Sequence, residues 1–170
     1  KKLLKHSHRL VENFVPGGLE KMGLAPALLH EINPALVIVR ISGWGQTGPY
    51  AKRPGFDQIA QGMGGLMSVT GLPGQGPVRV GIPIADLTAG RFAAQGIFIA
   101  LLEREVSGKG QWVQSSLLQA QIFMLDFQAA RWLRLSANKG DHRAQALLDT
   151  AVQLRTRERS DSLTIANTLD

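Results

Sequence analysis

The sequence predicts an α/β fold, in which a parallel sheet is flanked by helices. PALLHEINP places Pro26 at a first helical position and ends at Asn33-Pro34, which predicts a helix. The next stretch, ALVIVRIS (35–42), is a β-branched run typical of a strand buried on both faces. The four Gly and two Pro of GWGQTGPYAKRPG (43–55) then predict a loop. Such a loop, at the end of a buried strand, lies where open α/β sheets usually bind ligands.

The following elements continue the alternation of helices and extended segments. DQIAQGMGGLM (57–67) is typical of a helix weakened by glycine, and TGLPGQGP after it is a loop. We expect residues 78–84 to be extended, and a helix from about Leu87 to Val106 that stops at SGKG. WVQSS predicts a short strand, and SLLQAQIFMLDFQAARWLRL (116–135) predicts a long, mostly buried helix.

The composition of the chain becomes more charged after about residue 135. We expect residues 1–135 to belong to one partial domain, and residues 136–170 to form a charged tail with at most one amphipathic helix, roughly 143–154. The chain starts abruptly and without Met, so we expect a fragment or a truncated protein.

The amino-acid composition indicates what kind of protein this is and which kinds of partner it could bind. Apolar residues make up 44% and charged residues 19% of 170, as in a globular protein. The net charge of +6 favours an anionic partner such as a phosphorylated small molecule; scattered basic residues and 6% aromatics disfavour nucleic acid. The absence of Cys excludes a thiolate and suits a reducing cytoplasm. No run reaches the roughly 18 apolar residues of a membrane span, so no membrane partner is expected.

The stretch VGIPIADLTAG (80–90) contains a single carboxylate, that of Asp86. Asp86 follows a run of apolar residues, Gly and Pro, and precedes small residues that are typical of a helix start. Asp at a helix start commonly caps the helix, and the residues alone favour that interpretation. A carboxylate beside small residues could instead act as a nucleophile, because Thr88, Ala89 and Gly90 leave space for a bulky ligand.

Several motifs in order resemble one known family. They are LVENFVPGGLEKMGL, INPALVIVRISGWGQTGPY, PGFDQIAQGMGGLMSVTG, ADLTAG and SGKGQWVQSSLLQAQ, which together cover about residues 10–135. The chain resembles the class III CoA-transferases, the CaiB/BaiF family. The resemblance implies a Rossmann-like large domain that binds coenzyme A (CoA), and a homodimer whose subunits are interlocked. It also implies that Asp86 is the catalytic aspartate.

The resemblance also implies the chemistry. CoA would move between an acyl-CoA and a carboxylic acid through an acyl or CoA intermediate on Asp86. Coenzyme A and acyl-CoA are then substrates, and no metal or permanently bound cofactor is expected. An Asp with an ordinary pKa of about 3.9 is already ionised at neutral pH, and a helix N-terminus would favour its anionic form.

Six further positions match CoA-binding motifs of the family. In VENFVPGG, Asn13 and Phe14 would contact the nucleotide end of CoA, and Lys21 would lie near its phosphates. In AKRPGFD, the matching contacts are Arg53, Gly55 and Phe56. Without the resemblance, both stretches are ordinary turns and solvated loops. Racemases of the family have His where this chain has Phe56, and Phe cannot move a proton, so CoA transfer is favoured over racemisation.

Two alternatives remain open at this point. The chain could be a catalytically inactive remnant of such an enzyme, with at most weak CoA binding, because the family's first βαβ segment and its small domain have no counterpart here. It could also be a plain nucleotide-binding module, although no G-x-G-x-x-G follows a strand.

Overall fold

A computed structural model describes residues 1–150 and residue 153 of the chain. It divides into two compact units, Lys1–Met124 and Leu125–Asp170. The first unit contains a parallel three-stranded sheet with flanking helices, which confirms the predicted α/β class. The predicted domain boundary near residue 135 stays a prediction.

Up to residue 138 the structure has three strands, six helices and two 3₁₀ turns. In chain order they are a 3₁₀ turn Leu3–His6, β1 Arg9–Glu12, α1 Gly18–Lys21, α2 Pro26–Ile32, β2 Val37–Ser42, α3 Asp57–Met63, a 3₁₀ turn Leu66–Val69, α4 Ile84–Ser107, β3 Trp112–Ser116, α5 Leu117–Leu125 and α6 Phe127–Asn138. The predicted helix at Pro26 and the strands at 35–42 and 112–116 are confirmed.

The sheet is built around β2. The strand order is β1-β2-β3, with Leu10 beside Ile38 and Val39 beside Val113. Residues 37–40 of β2 are all buried, as expected of a strand covered on both faces. Since all strands are parallel, their carboxyl ends lie at the same edge of the sheet.

Successive residues of β2 pack on opposite faces of the sheet. Val37 and Val39 form a core with Ala93 and Ala100 of α4. Ile38 forms a second core with Leu29 of α2, to which Leu4, Leu10 and Leu24 add partly buried contacts. Ala60, Ala85, Ala89, Leu117 and Ala120 form a third, which joins α3, α4 and α5. These small side chains bring the first turn of α4 close to the carboxyl edge of the sheet.

Several element boundaries differ from the predictions. Strand β1 was not predicted; VENF was interpreted as a turn, but its Glu12 pairs with Arg40 of β2. Residues 78–84 were predicted to be extended; residues 78–83 lie outside any helix or strand, the backbone at Val80 and Ile82 hydrogen-bonds with the Gln61 side chain, and Ile84 already belongs to α4. Helix α4 therefore begins at Ile84 and not at Leu87, and its end at Gly108 in the left-handed conformation matches the predicted stop.

The long helix predicted over 116–135 is two helices. The break lies at Asp126, whose φ of 41° is outside the helical region. The prediction that this helix is mostly buried is wrong, since no residue of α6 is buried and Phe123, Phe127 and Trp132 are exposed. In the tail, residues 142–150 are helical, and the predicted end at 154 lies outside the described residues.

Helix α4 is the one described helix with the length and apolar composition to cross a membrane. The core helix of a soluble protein meets the same criteria, and here one face of α4 packs on the sheet. The absence of a membrane partner stays a prediction.

Candidate active site

The candidate site lies at the carboxyl edge of the sheet. Asn13 directly follows β1, Ser42 ends β2, and Leu117 directly follows β3. These three residues line one cavity of about 450 Å³. The loop after β2 therefore lies at the edge where α/β sheets usually bind ligands, as the sequence predicted.

Asp86 contributes a carboxylate to this cavity from the first turn of α4. It is the third residue of the helix, and its exposed side chain lines the cavity together with Gly90 one turn later. The residue before the helix is Pro83, which has no backbone N–H for a carboxylate in the first turn to bind. The interpretation of Asp86 as the cap of its helix is therefore wrong.

A second carboxylate, Asp57, stabilises the N-terminus of α4 instead. Its Oδ1 accepts hydrogen bonds from the backbone N–H groups of Ala85 at 2.7 Å and Asp86 at 3.3 Å. Its Oδ2 accepts a hydrogen bond from Nε2 of the fully buried Gln61 at 2.7 Å. Asp57 also lines the 450 Å³ cavity. Because Asp57 occupies the helix N–H groups, the Asp86 carboxylate is left to face the cavity.

The environment of Asp86 raises the pKa of its carboxyl group. Partial desolvation of the carboxylate by the residues around it contributes most, although the side chain still reaches solvent, and repulsion from the charge of Asp57 adds to it. The sequence predicted that the helix N-terminus would favour the anion. In the folded chain the opposing effects are larger, since Asp57 already occupies the N–H groups at that terminus.

Replacing Asp86 by Asn should therefore raise the stability of the folded chain slightly. A carboxyl group whose pKa is raised on folding stabilises the fold below its unfolded pKa, near 3.8, and loses that contribution as the pH rises through its folded pKa. We expect the Tm of Asp86→Asn to exceed that of the parent by about 2 °C or less at pH 7, because the group is solvent-exposed. The difference should vanish at pH 3. A lower Tm for the variant at pH 7 would contradict this.

A second, smaller cavity of about 230 Å³ adjoins the first and is not lined by Asp86. It is lined by Phe14 and Arg53, and it shares five lining residues with the larger cavity: Asn13, Ser42, Gly43, Gly55 and Phe56. The structure thus brings together six of the seven predicted site residues. Lys21 is the exception, since it is exposed on α1 and does not line these two cavities.

Arg53 is positioned by an aromatic side chain of its own loop. Its guanidinium lies over the ring of Tyr50, with Cζ at 4.4 Å from the ring centroid. Tyr50 in turn lies beside Trp44, whose Nε1 donates a hydrogen bond to the carbonyl of Pro54 at 3.2 Å. These contacts hold a cation in the lining of the smaller cavity, where it could bind an anionic group of a ligand.

The two ends of the 43–55 loop touch through glycine. A methyl group built on Gly43 would overlap the Cα of Gly55, and the reverse also holds. Since both residues line both cavities, this close approach of the two backbones shapes the lining of the site.

Gly55→Ala should separate these backbones and weaken ligand binding in the cavities. We expect a loss of about 1–3 kcal/mol in the free energy of unfolding, measured by urea denaturation, because overpacking against backbone cannot be relieved by a rotamer change. Gly81→Ala is the matched control, since a methyl group there meets open space. Equal stability of the two variants would show that the approach is not tight.

Sequence reasoning missed Asp57 and Gln61. Both lie in the quoted stretch PGFDQIAQGMGG, but their partners Val80, Ile82, Ala85 and Asp86 are 19 to 29 residues further on. Asp57 at the first position of its own helix is typical of a residue that favours that helix terminus, so local pattern gave no sign of its second role.

Comparison with known proteins identifies the relatives of the chain. The model of CoA-transferase family III matches residues 1–160. Succinyl-CoA–D-citramalate CoA-transferase of Chloroflexus aurantiacus is 43% identical over 126 residues, which are 74% of this chain and 31% of that protein. Succinyl-CoA:glutarate CoA-transferase of Mus musculus is 43% identical over 123 residues, or 72% and 28% of the two chains.

A solved structure agrees with these relatives. A CAIB/BAIF family protein from Brucella suis superimposes with a TM-score of 0.75 and 40% identity, over 78% of this chain and 35% of that one. The chain therefore spans about a third of the length of the relatives it matches.

Proposed function

Because the chain belongs to CoA-transferase family III, we propose that it moves coenzyme A between an acyl-CoA and a carboxylic acid, with Asp86 as the nucleophile. The observation that carries the proposal is the position of the Asp86 carboxylate. It is exposed in a cavity, is not used to cap its own helix, and is joined by five shared lining residues to a second cavity that holds Phe14 and Arg53.

The proposed reaction consists of four substitutions at carbonyl carbon. An oxygen of Asp86 attacks the thioester carbonyl, so that a C–O bond forms and the C–S bond breaks. CoA thiolate departs, and a mixed anhydride remains on the enzyme. The thiolate then attacks the Asp86 carbonyl, which gives an aspartyl-CoA thioester and releases the donor acid as its carboxylate. The acceptor carboxylate attacks the carbonyl of this thioester; a C–O bond forms, the C–S bond breaks, and a mixed anhydride of Asp86 and the acceptor remains while CoA thiolate departs. The thiolate finally attacks the acceptor's carbonyl, which forms the new acyl-CoA and restores the Asp86 carboxylate.

No proton transfer or redox change is needed in these steps. Asp86 reacts as an anion, and every nucleophile and every leaving group in the four steps is a carboxylate or a thiolate. Phe56, which lines both cavities and is 62% exposed, can contact a ligand but cannot accept the α-proton whose removal a racemase requires. The residue at this position therefore favours transfer over racemisation.

The proposed ligand is divided between the two cavities. The reacting thioester would lie in the larger cavity at Asp86, and the nucleotide part of CoA would extend past Asn13 and Phe14 towards Arg53. A net charge of +6 favours this phosphorylated, anionic ligand. Lys21 would act on its phosphates only from outside these two cavities. No resident cofactor is required, because CoA itself is the group transferred.

The names of the relatives suggest a substrate class. The two enzymes from Chloroflexus aurantiacus and Mus musculus are named for succinyl-CoA, with citramalate or glutarate as the partner acid. We propose a short dicarboxylic acyl-CoA such as succinyl-CoA as donor, and a dicarboxylic acid as acceptor. We further propose a homodimer in a reducing cytoplasm, as the resemblance and the lack of Cys suggest.

An assay with defined substrates tests this function against the inactive alternative. The chain is incubated with succinyl-CoA and glutarate, and glutaryl-CoA is measured by chromatography. The proposal expects a product that requires both substrates. CoA binding by calorimetry without any product would favour the catalytically inactive remnant. Absence of both binding and product would contradict the proposed function.

A further inference from the structure

A fully buried arginine lies under the predicted CoA-binding turn. Arg40, on the central strand β2, is 2% exposed, which is unusual for a guanidinium unless it is paired. It does not line either of the two cavities of the candidate site. The proposed chemistry makes no use of it, so its burial needs a separate explanation.

Two carboxylates bind the guanidinium from different elements. Its Nε donates to Glu12 Oε1 at 2.5 Å, while Nη1 and Nη2 donate to the two oxygens of Glu20 at 2.7 Å and 3.2 Å. Trp112 of β3 lies against Arg40, with Cζ at 5.4 Å from its ring centroid. The planar fork of Arg allows this bridge, which a single ammonium group could not make in the same geometry.

The two carboxylates stand at opposite ends of the turn formed by residues 13–17. Glu12 is the last residue of β1, and Glu20 lies in α1, directly after the turn. The second oxygen of Glu12 accepts a hydrogen bond from the backbone N–H of Phe14 at 2.7 Å, inside the turn. One guanidinium therefore fixes the start of the turn, its end and, through Glu12, its backbone.

The Arg40–Glu12 and Arg40–Glu20 contacts differ in how exposed the carboxylate is. The side chains of Arg40 and Glu12 are each 2% exposed, whereas that of Glu20 is 40% exposed. Hydrogen bonding to Arg40 lowers the pKa of Glu20 despite its partial exposure. A buried ion pair contributes little net stability, because the desolvation of both charges offsets their attraction. The geometry that the pair imposes on the turn is the more direct consequence.

We propose that Arg40 is a positioning residue for CoA binding, which acts by clamping both ends of the 13–17 turn through Glu12 and Glu20. The clamp holds Asn13 at the junction of the two cavities and Phe14 in the smaller one. The inference rests on the proposed function, since it assumes that CoA is the ligand of these cavities.

Arg40→Lys tests the clamp, because it keeps the charge and removes the fork. We expect CoA, titrated by calorimetry into the 170-residue chain, to bind about tenfold more weakly, since ordered hydrogen bonds to charged groups are lost. Hydrogen exchange of the Phe14 amide should become faster, because Glu12 is no longer held. Arg9→Lys is the matched control: Arg9 is exposed on the neighbouring strand β1, and its variant should bind CoA like the parent.

Glu20→Gln keeps the experiment decisive if Arg40→Lys does not fold. It removes only the partly exposed carboxylate and leaves the buried Arg40–Glu12 pair intact. We expect weaker CoA binding by about threefold or more, with an unchanged circular dichroism spectrum. If Arg40→Lys folds, an unchanged affinity for CoA in that variant would overturn the inference. If it does not fold, an unchanged affinity for CoA in Glu20→Gln would do so.

The parent chain separates this inference from the proposed function. If the parent binds no CoA, the proposed function fails and the role of Arg40 in CoA binding fails with it. The Phe14 amide then still reports on the clamp itself: exchange that is slow in the parent and faster in Arg40→Lys shows that the clamp exists, and equal exchange shows that it does not.

Discussion

Replacing Asp86 by Asn should abolish CoA transfer while the chain stays folded. Asn has nearly the same shape but lacks the anionic oxygen that attacks the thioester. We expect the rate of glutaryl-CoA formation from succinyl-CoA and glutarate to fall by at least about 10³-fold, as for other enzymes that lose a nucleophile. CoA affinity should stay within a few-fold of the parent, because Asp86 acts in the reaction and not in binding the nucleotide.

Two controls sharpen this prediction. Asp86→Ala should be equally inactive, and it excludes recovery of the carboxylate by deamidation of Asn. Asp126→Asn removes a carboxylate outside the candidate site, and its activity should be close to that of the parent. A rate within about tenfold of the parent in both Asp86 variants would show that another group is the nucleophile.

Replacing Asp57 by Ala should destabilise the fold and displace the N-terminus of α4. The change leaves the N–H groups of Ala85 and Asp86 and the amide of buried Gln61 without their acceptor. We expect the free energy of unfolding to fall by about 2 kcal/mol, from a lost helix cap and a buried unpaired donor. Displacement of the first turn of α4 should also slow transfer by about 10- to 100-fold, because a small misplacement of a reacting group is costly.

Asp57→Asn separates the cap from the charge. Its Oδ1 can still accept from the helix N–H groups, so stability should lie between that of the parent and that of Asp57→Ala. Both variants remove the charge that helps to raise the pKa of Asp86, so that pKa should fall in both. The acid limb of the pH–rate profile, and the carboxyl titration measured by NMR, should move to lower pH. Stability of Asp57→Ala equal to that of the parent would show that the cap does not support α4.

Local patterns in the sequence were sufficient to predict most of the fold. The run VIVRIS is uniformly buried because it is the central strand of a parallel sheet, and Pro26 and Gly108 begin and end helices as their conformations require. The short strand β1 was missed because its four residues carry no alternation that distinguishes a strand from a turn. The single helix predicted over 116–135 ignored Asp126, where nothing in an apolar run signals a break.

The candidate site was predictable only where its residues share a motif with relatives. Asn13, Phe14, Arg53, Gly55, Phe56 and Asp86 line adjoining cavities, although their roles in binding and catalysis stay predictions. The contacts that support them are long-range. Asp57 reaches α4 from 28 residues away, and Arg40 joins Glu12 of the neighbouring strand to Glu20 of α1. Such pairings depend on the packed sheet and cannot be read from spacing along the chain.

The most direct test of the central claim is to look for the covalent intermediate on Asp86. The chain is mixed with succinyl-CoA without an acceptor acid, quenched in acid and digested, and the peptide that contains Asp86 is examined by mass spectrometry. The account predicts a CoA thioester or a succinyl anhydride on Asp86, which disappears when glutarate is added and is absent from Asp86→Asn. Product formation with an unmodified Asp86 peptide, or the same adduct in Asp86→Asn, would contradict it.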